Sequence, residues 1–248
     1  MVVTRPREQA VRLSELINAC AGRPILFPTL EILDPLDPQP LRALIDRLEQ
    51  FDVAIFVSPT AVNRGLGLVR ARRSLPPRLR LAAIGQGSAR ELRRHGVADV
   101  LAPEQGADSE ALLALAEFAD MRGRSVVIFR GVGGRELLGD TLAQRGASVE
   151  YAPCYRRTRP SGNAEILLQA WSRGEVHAVT VTSREALNNL VEMVGASGHQ
   201  WLRETPLFVP HERIAAAARD LGIAEVVVTA PGDEGLVSAM IRHFSRTS

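Results

Sequence analysis

Lysine is absent from this chain of 248 residues; all 30 of its basic residues are arginine. That absence excludes a pyridoxal Schiff base, a lysine-dependent aldolase and the lysine of a standard P-loop. Cysteine is nearly absent as well. Cys20 and Cys154 are too few and too isolated for a disulfide framework, which points to a reducing cytoplasm. No run of about 18 apolar residues exists to span a membrane, and the opening MVVTRPREQ holds no apolar signal core. An excess of one charge is missing too: 30 basic residues face 28 acidic ones, so no surface for nucleic acid is implied. The histidines, His95, His177, His199, His211 and His243, show no metal-ligand spacing, and no GxSxG elbow occurs.

What the chain does contain is a copy of itself. Adding 125 to a position in the first half reaches its counterpart in the second. Arg5 maps to Arg130, Pro28 to Pro153, Ser58 to Ser183, Ala61 to Ala186 and Asn63 to Asn188. One extra residue then brings Gly96 onto Gly222 and Val100 onto Val226. A repeat this long marks two copies of one domain rather than a solenoid, and two like lobes make a cleft.

Four β-then-α blocks follow one another. The first has a strand at Val2–Val3, a helix with Ala10, Leu13, Leu16 and Ile17 on one face, and a strand from Pro24 to Phe27. Residues 30–40, LEILDPLDPQP, carry three prolines and read as an extended connector. The second block holds VAIFV at 53–57, LAAI at 81–84 and VLA at 100–102. SVVIFR at 125–130 opens the third, which ends in the proline-punctuated VEYAPCYRRTRP. AVTVT at 178–182, PLFV at 206–209 and EVVVTA at 225–230 form the fourth. Short apolar strands alternating with helices predict α/β lobes, each a parallel sheet flanked by helices.

The blocks can pair sequentially, with one linker near 121–123, or crosswise. The extended prolines lie at the crossings, whereas MRGRS at 121–125 reads as a tight turn, which favours the crossed order. Residues 38–150 then form a contiguous lobe. Residues 1–33 with 157–248 form a discontinuous one, and the linkers at about 31–38 and 150–158 pair as a two-stranded β-ladder.

Ligands of open α/β sheets bind at the carboxyl ends of the strands. Residues there include Arg5, Ser58, Gly85, Ser88, Arg130, Gly131, Gly133, Ser183, Arg184 and Thr229. Ser58-Pro59 is a helix start, with the hydroxyl capping free amides, and Ser183 holds the equivalent place. Helix N-termini approached through glycine suit carboxylates or phosphates. The same serines serve as plain caps in many α/β proteins, and Arg5 and Arg130 would also fit as side chains lying over a sheet edge. The glycine loops at 85–87 and 131–134 resemble dinucleotide loops, but neither continues as GxGxxG. Tyr151 and Tyr155 lie on the second crossing, where they face the cleft or pack the hinge.

Over nearly its whole length the chain resembles the uroporphyrinogen-III synthase family. The resemblance rests on VVTRP at the start, FPTLEI at 27–32, DVAIFVSPTAV at 52–62 and LAAIGQGSA at 81–89. It continues through FRGVGGRELLGDTLAQRGASVEYAPCYRR at 129–157, VTVTSREAL at 179–187 and VTAPGDEGLVSAMI at 228–241. It implies two lobes with the site between them, and a lyase that closes hydroxymethylbilane, a linear polycarboxylate, with loss of water and inversion of ring D. Ser58, Ser88, Ser183 and Thr229 match hydroxyl residues of the family's cleft. Tyr155 matches a tyrosine that assists departure of the leaving hydroxyl. The resemblance implies no cofactor and no metal, a monomer, and transient contact with the deaminase that makes the substrate. Val209-Pro210-His211-Glu212-Arg213 departs from the family pattern of glycine and threonines. A non-enzymatic two-lobed binding protein for an anion is the alternative, and a nucleotide-dependent enzyme a more distant one.

Overall fold

Ten short strands account for the sheets among the residues that the computed structural model describes, 1–245. The first five are β1 (Val2–Val3), β2 (Ile25–Leu26), β3 (Glu31–Leu33), β4 (Val53–Phe56) and β5 (Arg80–Ala83). The rest are β6 (Ser125–Gly131), β7 (Ser148–Thr158), β8 (Val179–Thr180), β9 (Leu207–Val209) and β10 (Val226–Val228). They form two five-stranded sheets, ordered β10-β9-β8-β1-β2 and β3-β7-β6-β4-β5. The chain divides into two compact units, Met1–Ile32 with the chain from Thr158 onward, and Leu33–Arg157.

In the first unit β1 pairs in parallel with both β2 and β8, and β9 pairs in parallel with β8 and β10. Side chains alternate between the two faces of a strand, and here both faces are dry. Val2, Val179 and Leu207 face one core, where Leu167, Trp171, Leu187, Leu190 and Ile214 come from the helices Glu165–Ser172, Arg184–Glu204 and Glu212–Asp220. Val3, Ala178 and Phe208 face the other, filled by Leu13 and Ile17 of helix Arg7–Ala19 and by Leu236 and Met240 of helix Asp233–Phe244. Leu13 is wholly buried, so Leu13→Ala would cost about 2–5 kcal/mol.

In the second unit β4 and β6 lie in register, Val53 to Val126 through Phe56 to Phe129, with β5 parallel beyond β4. Val53, Ile55, Val126 and Ile128 pack on Leu112, Leu138 and Leu142. On the opposite face Phe56 and Phe129 stack with ring centres 4.7 Å apart.

Three sequence expectations need correction in detail. The strand at 100–102 shrinks to a bridge between Leu101 and Ala82, because Pro103 lacks the N–H that would extend the ladder. The strand at Pro24–Phe27 narrows to Ile25–Leu26. The connector at 30–40 ends early: helix Gln39–Asp46 starts inside it, with Pro40 in the first turn, where a missing N–H costs nothing. Among the described residues no helix is long and apolar enough to cross a membrane.

Candidate active site

The contiguous unit holds a cavity of about 170 Å³ at the carboxyl ends of β4 and β6, lined by Ser58, Arg130, Gly131, Gly133, Tyr151 and Tyr155 among others. Of the residues picked out from sequence, the structure therefore brings together Ser58, Arg130, Gly131, Gly133 and Tyr155. A break in the β6–β7 ladder makes this possible. Arg130 pairs with Pro153 but Gly131 pairs with Tyr155, so Cys154 is skipped. A one-residue bulge re-aims the side chains after it. Val132 N–H then donates to the Tyr155 carbonyl at 2.8 Å, closing the strand end.

Tyr155 is 2% exposed, yet its hydroxyl reaches the cavity, 3.2 Å from Ser58 Oγ. Ser58 has extended backbone, and its Oγ accepts from Ala61 N–H at 3.0 Å, with Pro59 opening the helix behind it. With one lone pair committed to that cap, the serine hydroxyl still has a proton and a second lone pair for Tyr155. The cap thus fixes the oxygen that orients the phenol. Gly131 lies against the ring: a Cβ there would sit 2.8 Å from Tyr155 Cε2, so only glycine lets β6 pass this close.

Arg130 is buried, at 9% exposed. Its Nε donates to the Gly133 carbonyl at 2.9 Å and Nη2 donates to the same oxygen. Its Cζ lies 4.7 Å from the centre of the Tyr151 ring. The described residues offer it no carboxylate partner. A buried guanidinium without an acid is costly unless a ligand supplies the charge. Arg135 and Arg157 also line the cavity. Among the described residues Arg135 reaches Glu110, at 3.7 Å and largely in solvent, and Arg157 lies over the Tyr155 ring at 5.9 Å.

Burial pushes the Tyr151 phenol above its ordinary range, against the pull of Arg130. Burial also pushes the Cys154 thiol up to about 12; it faces the carbonyls of Ala61 and Arg130 and stays a neutral packing group. Among the described residues no group of three or more His, Cys, Asp or Glu is placed to hold a metal ion.

The other expected residues lie elsewhere. Gly85 caps helix Gln86–Arg94, and a Cβ there would meet Ala107 Cα at 2.7 Å, which is a packing demand. Ser88 is 4% exposed inside that helix and does not line the cavity. In the other unit Ser183 Oγ accepts from Ala186 N–H at 3.0 Å, as Ser58 does, with Arg184 exposed beside it. Thr229 is buried and donates to the Ala230 carbonyl at 2.8 Å. Arg5 is ion-paired with Asp233. Sequence reasoning passed over Ser109 and Arg157, both in the cavity wall. The second arginine of the YRR run was the available signal for Arg157, and nothing in the sequence marks Ser109.

Comparison with known proteins matches residues 11–238 to the family model described as uroporphyrinogen-III synthase HemD. The uroporphyrinogen-III synthase of Salmonella typhimurium is 32% identical over 235 residues, 94% of this chain and 96% of its own. That of Escherichia coli is 31% identical over the same extent. Among solved structures, a mutant uroporphyrinogen III synthase from Thermus thermophilus aligns over 99% of this chain and 98% of its own, with a TM-score of 0.64 at 19% identity. The Helicobacter pylori enzyme gives 0.58 at 16% identity, covering 90% and 93% of the two chains. Both support the fold.

Proposed function

Since the chain belongs to the uroporphyrinogen-III synthase family, we propose that the cavity beside β6 and β7 binds part of the linear tetrapyrrole that the family closes. The activity is that of a cyclising lyase in haem biosynthesis: hydroxymethylbilane loses water and closes with ring D inverted, giving uroporphyrinogen III. Type I ring closure needs no enzyme. The protein's task is to hold the chain so that the substituted carbon of ring D is attacked, which is work of geometry and differential binding.

The observation that supports this site is Arg130, a buried cation whose missing counter-charge a substrate carboxylate would supply. The Gly131–Gly133 backbone and Arg135 stand beside it for further carboxylate oxygens. Ser183 and Arg184 offer hydroxyl and guanidinium donors of the same kind in the other unit; the Thr229 hydroxyl, whose proton goes to the Ala230 carbonyl, has lone pairs only. Arg5 is already engaged by Asp233, and Gly85 and Ser88 act through the helix they start and pack.

Tyr155 serves as the general acid. The ring A pyrrole nitrogen pushes out the hydroxyl, the C–O bond breaks, and the Tyr155 proton leaves with it as water. When ring closure restores the pyrroles, the proton they lose returns to the phenolate. Ser58 keeps the phenol aimed during both transfers. Because the pyrrole supplies the electrons, the step asks for no metal or redox cofactor. The protein works as a monomer in a reducing cytoplasm, which suits two unpaired thiols, and takes its substrate by brief contact with the deaminase that makes it. The segments at 31–38 and 150–158 act as paired linkers between the units.

An isomer assay tests the reading. Freshly generated hydroxymethylbilane is supplied, the product is oxidised, and the uroporphyrin isomers are separated. Predominant type III is expected. Type I alone, at the spontaneous rate with folded protein, would leave an anion-binding relative instead. Light scattering in solution tests the monomer.

A further inference from the structure

Tyr151 has no place in the chemistry above, yet its surroundings are built around it. In the parallel register it sits opposite Ile128, and both line the cavity with Arg130. Its ring lies under the guanidinium at 4.7 Å. Helix Leu137–Gln144 opens a space for it: a Cβ on Gly139 would fall 2.1 Å from Tyr151 Oη, so no other residue fits there without moving the tyrosine. The hydroxyl donates to the Glu136 carbonyl at 3.5 Å and also meets the Arg130 side chain. Hydroxyl and ring are thus both accommodated, and the ring face is the part that the guanidinium lies over.

We propose that Tyr151 is the positioning residue for Arg130, a platform that presents the guanidinium to a substrate carboxylate in one fixed orientation. Arg130 has five N–H donors. Those on Nε and Nη2 that meet the Gly133 carbonyl hold one edge, the Tyr151 ring holds one face, and the side chain lines the cavity. Ring and carbonyl together fix a side chain that would otherwise sample many rotamers, so less freedom is lost when a carboxylate docks. The platform is electrostatic as well as steric: the negative face of an aromatic ring stabilises a desolvated cation where no carboxylate does. A carboxylate in place of Tyr151 would hold Arg130 as firmly but would neutralise it, and the site would lose its attraction for an anion.

This inference rests on Arg130 being a substrate ligand, and the test separates the two. Four variants are compared by steady-state type III formation and thermal unfolding. Arg130→Met should raise KM at least tenfold. Tyr151→Leu should raise KM about tenfold with kcat within about twofold, the signature of lost ground-state and transition-state binding in equal measure. Tyr151→Phe should restore the wild-type KM, because the ring remains. Gly139→Ala should raise KM as Tyr151→Leu does, although alanine favours a helix interior over glycine. A merely structural tyrosine would instead show Tyr151→Leu less stable with KM unchanged; Tyr151→Phe stays near wild type on either reading and controls for the hydroxyl. An unchanged KM in Arg130→Met overturns the ligand role of Arg130 and this inference with it. A raised KM there, with wild-type KM in Gly139→Ala and in folded Tyr151→Leu, overturns the platform alone. Should Tyr151→Leu fail to fold, Gly139→Ala decides.

Discussion

Arg5 follows β1 in one unit and Arg130 lies in β6 of the other, 125 residues further along and again at the carboxyl end of a parallel strand. Arg5 meets Asp233, the first residue of helix Asp233–Phe244, with the two side chains 18% and 14% exposed. An acid at that helix start is favoured by the helix dipole as well, so the pair is stable and its charge is cancelled. In the other unit, the helix in the same place in the order of elements, Ser109–Leu113, has Asp108 before it. That carboxylate caps its own helix, accepting from Ala111 N–H at 2.9 Å. Arg130 is left to a carbonyl and an aromatic ring. Duplicated units can thus keep a residue and change its use by moving a single acid between a cap and an ion pair.

The largest effect expected is on chemistry. Only the contiguous unit pairs its capping serine with a tyrosine, so Tyr155→Phe should slow type III formation by about 10²-fold or more while thermal unfolding stays close to wild type. A wild-type rate would remove Tyr155 from the mechanism. Next come the two arginines. Arg5→Met strips a partly buried acid of its partner and should cost about 2 kcal/mol of stability with little change in KM. Arg130→Met should do the reverse. Denaturant unfolding beside steady-state kinetics decides, and equal KM effects from both would collapse the comparison.

The serines give a finer contrast. Ser58→Ala and Ser183→Ala each lose one cap bond, worth about 1 kcal/mol, and should unfold at similar denaturant concentrations. Only Ser58→Ala should also lower kcat, because only Ser58 touches a phenol. The smallest effect concerns the thiols. Cys20 is exposed and Cys154 buried, so iodoacetamide should label native protein at Cys20 alone. The folded Cys154 keeps its proton to about pH 12, where an unfolded thiol loses it near 9.0. Over that interval the unfolded state binds fewer protons, so stability falls as pH rises, by at most about 1.4 kcal/mol per unit. Cys154→Ala should flatten that part of the stability–pH curve.

Short apolar runs made the strands readable, since VAIF and VVIF carry no polar residue and sit between two covered faces. Ser58-Pro59 and Ser183 announced their caps because a cap is a local device, settled within four residues. What was hidden depends on pairings distant in sequence. Nothing near Arg5 announces Asp233, and nothing near Gly139 announces the Tyr151 hydroxyl that occupies its missing Cβ. The skipped Cys154 was hidden too: a bulge is a property of two strands, and β7 alone reads as uniformly extended. Tyr155 stood out as one of two tyrosines, both on the second crossing, and took its role from a family likeness; its contact with Ser58 came from neither, because neither carries distances.

The pairing of β1 with β8 has a consequence for how the protein is made. On the ribosome Val2 and Val3 emerge first, but the strand they need on one edge, Val179–Thr180, follows only after the whole of Leu33–Arg157 has been synthesised. That intervening stretch is contiguous and can collapse while the chain grows. The nascent amino-terminal strand and helix, with Leu13 and Ile17 uncovered, must meanwhile remain in solution or in the care of a chaperone. A pause in translation between codons 157 and 180 would lengthen that exposure, whereas one after 244 would come when both the sheet and the helix that covers Leu13 and Ile17 had been made.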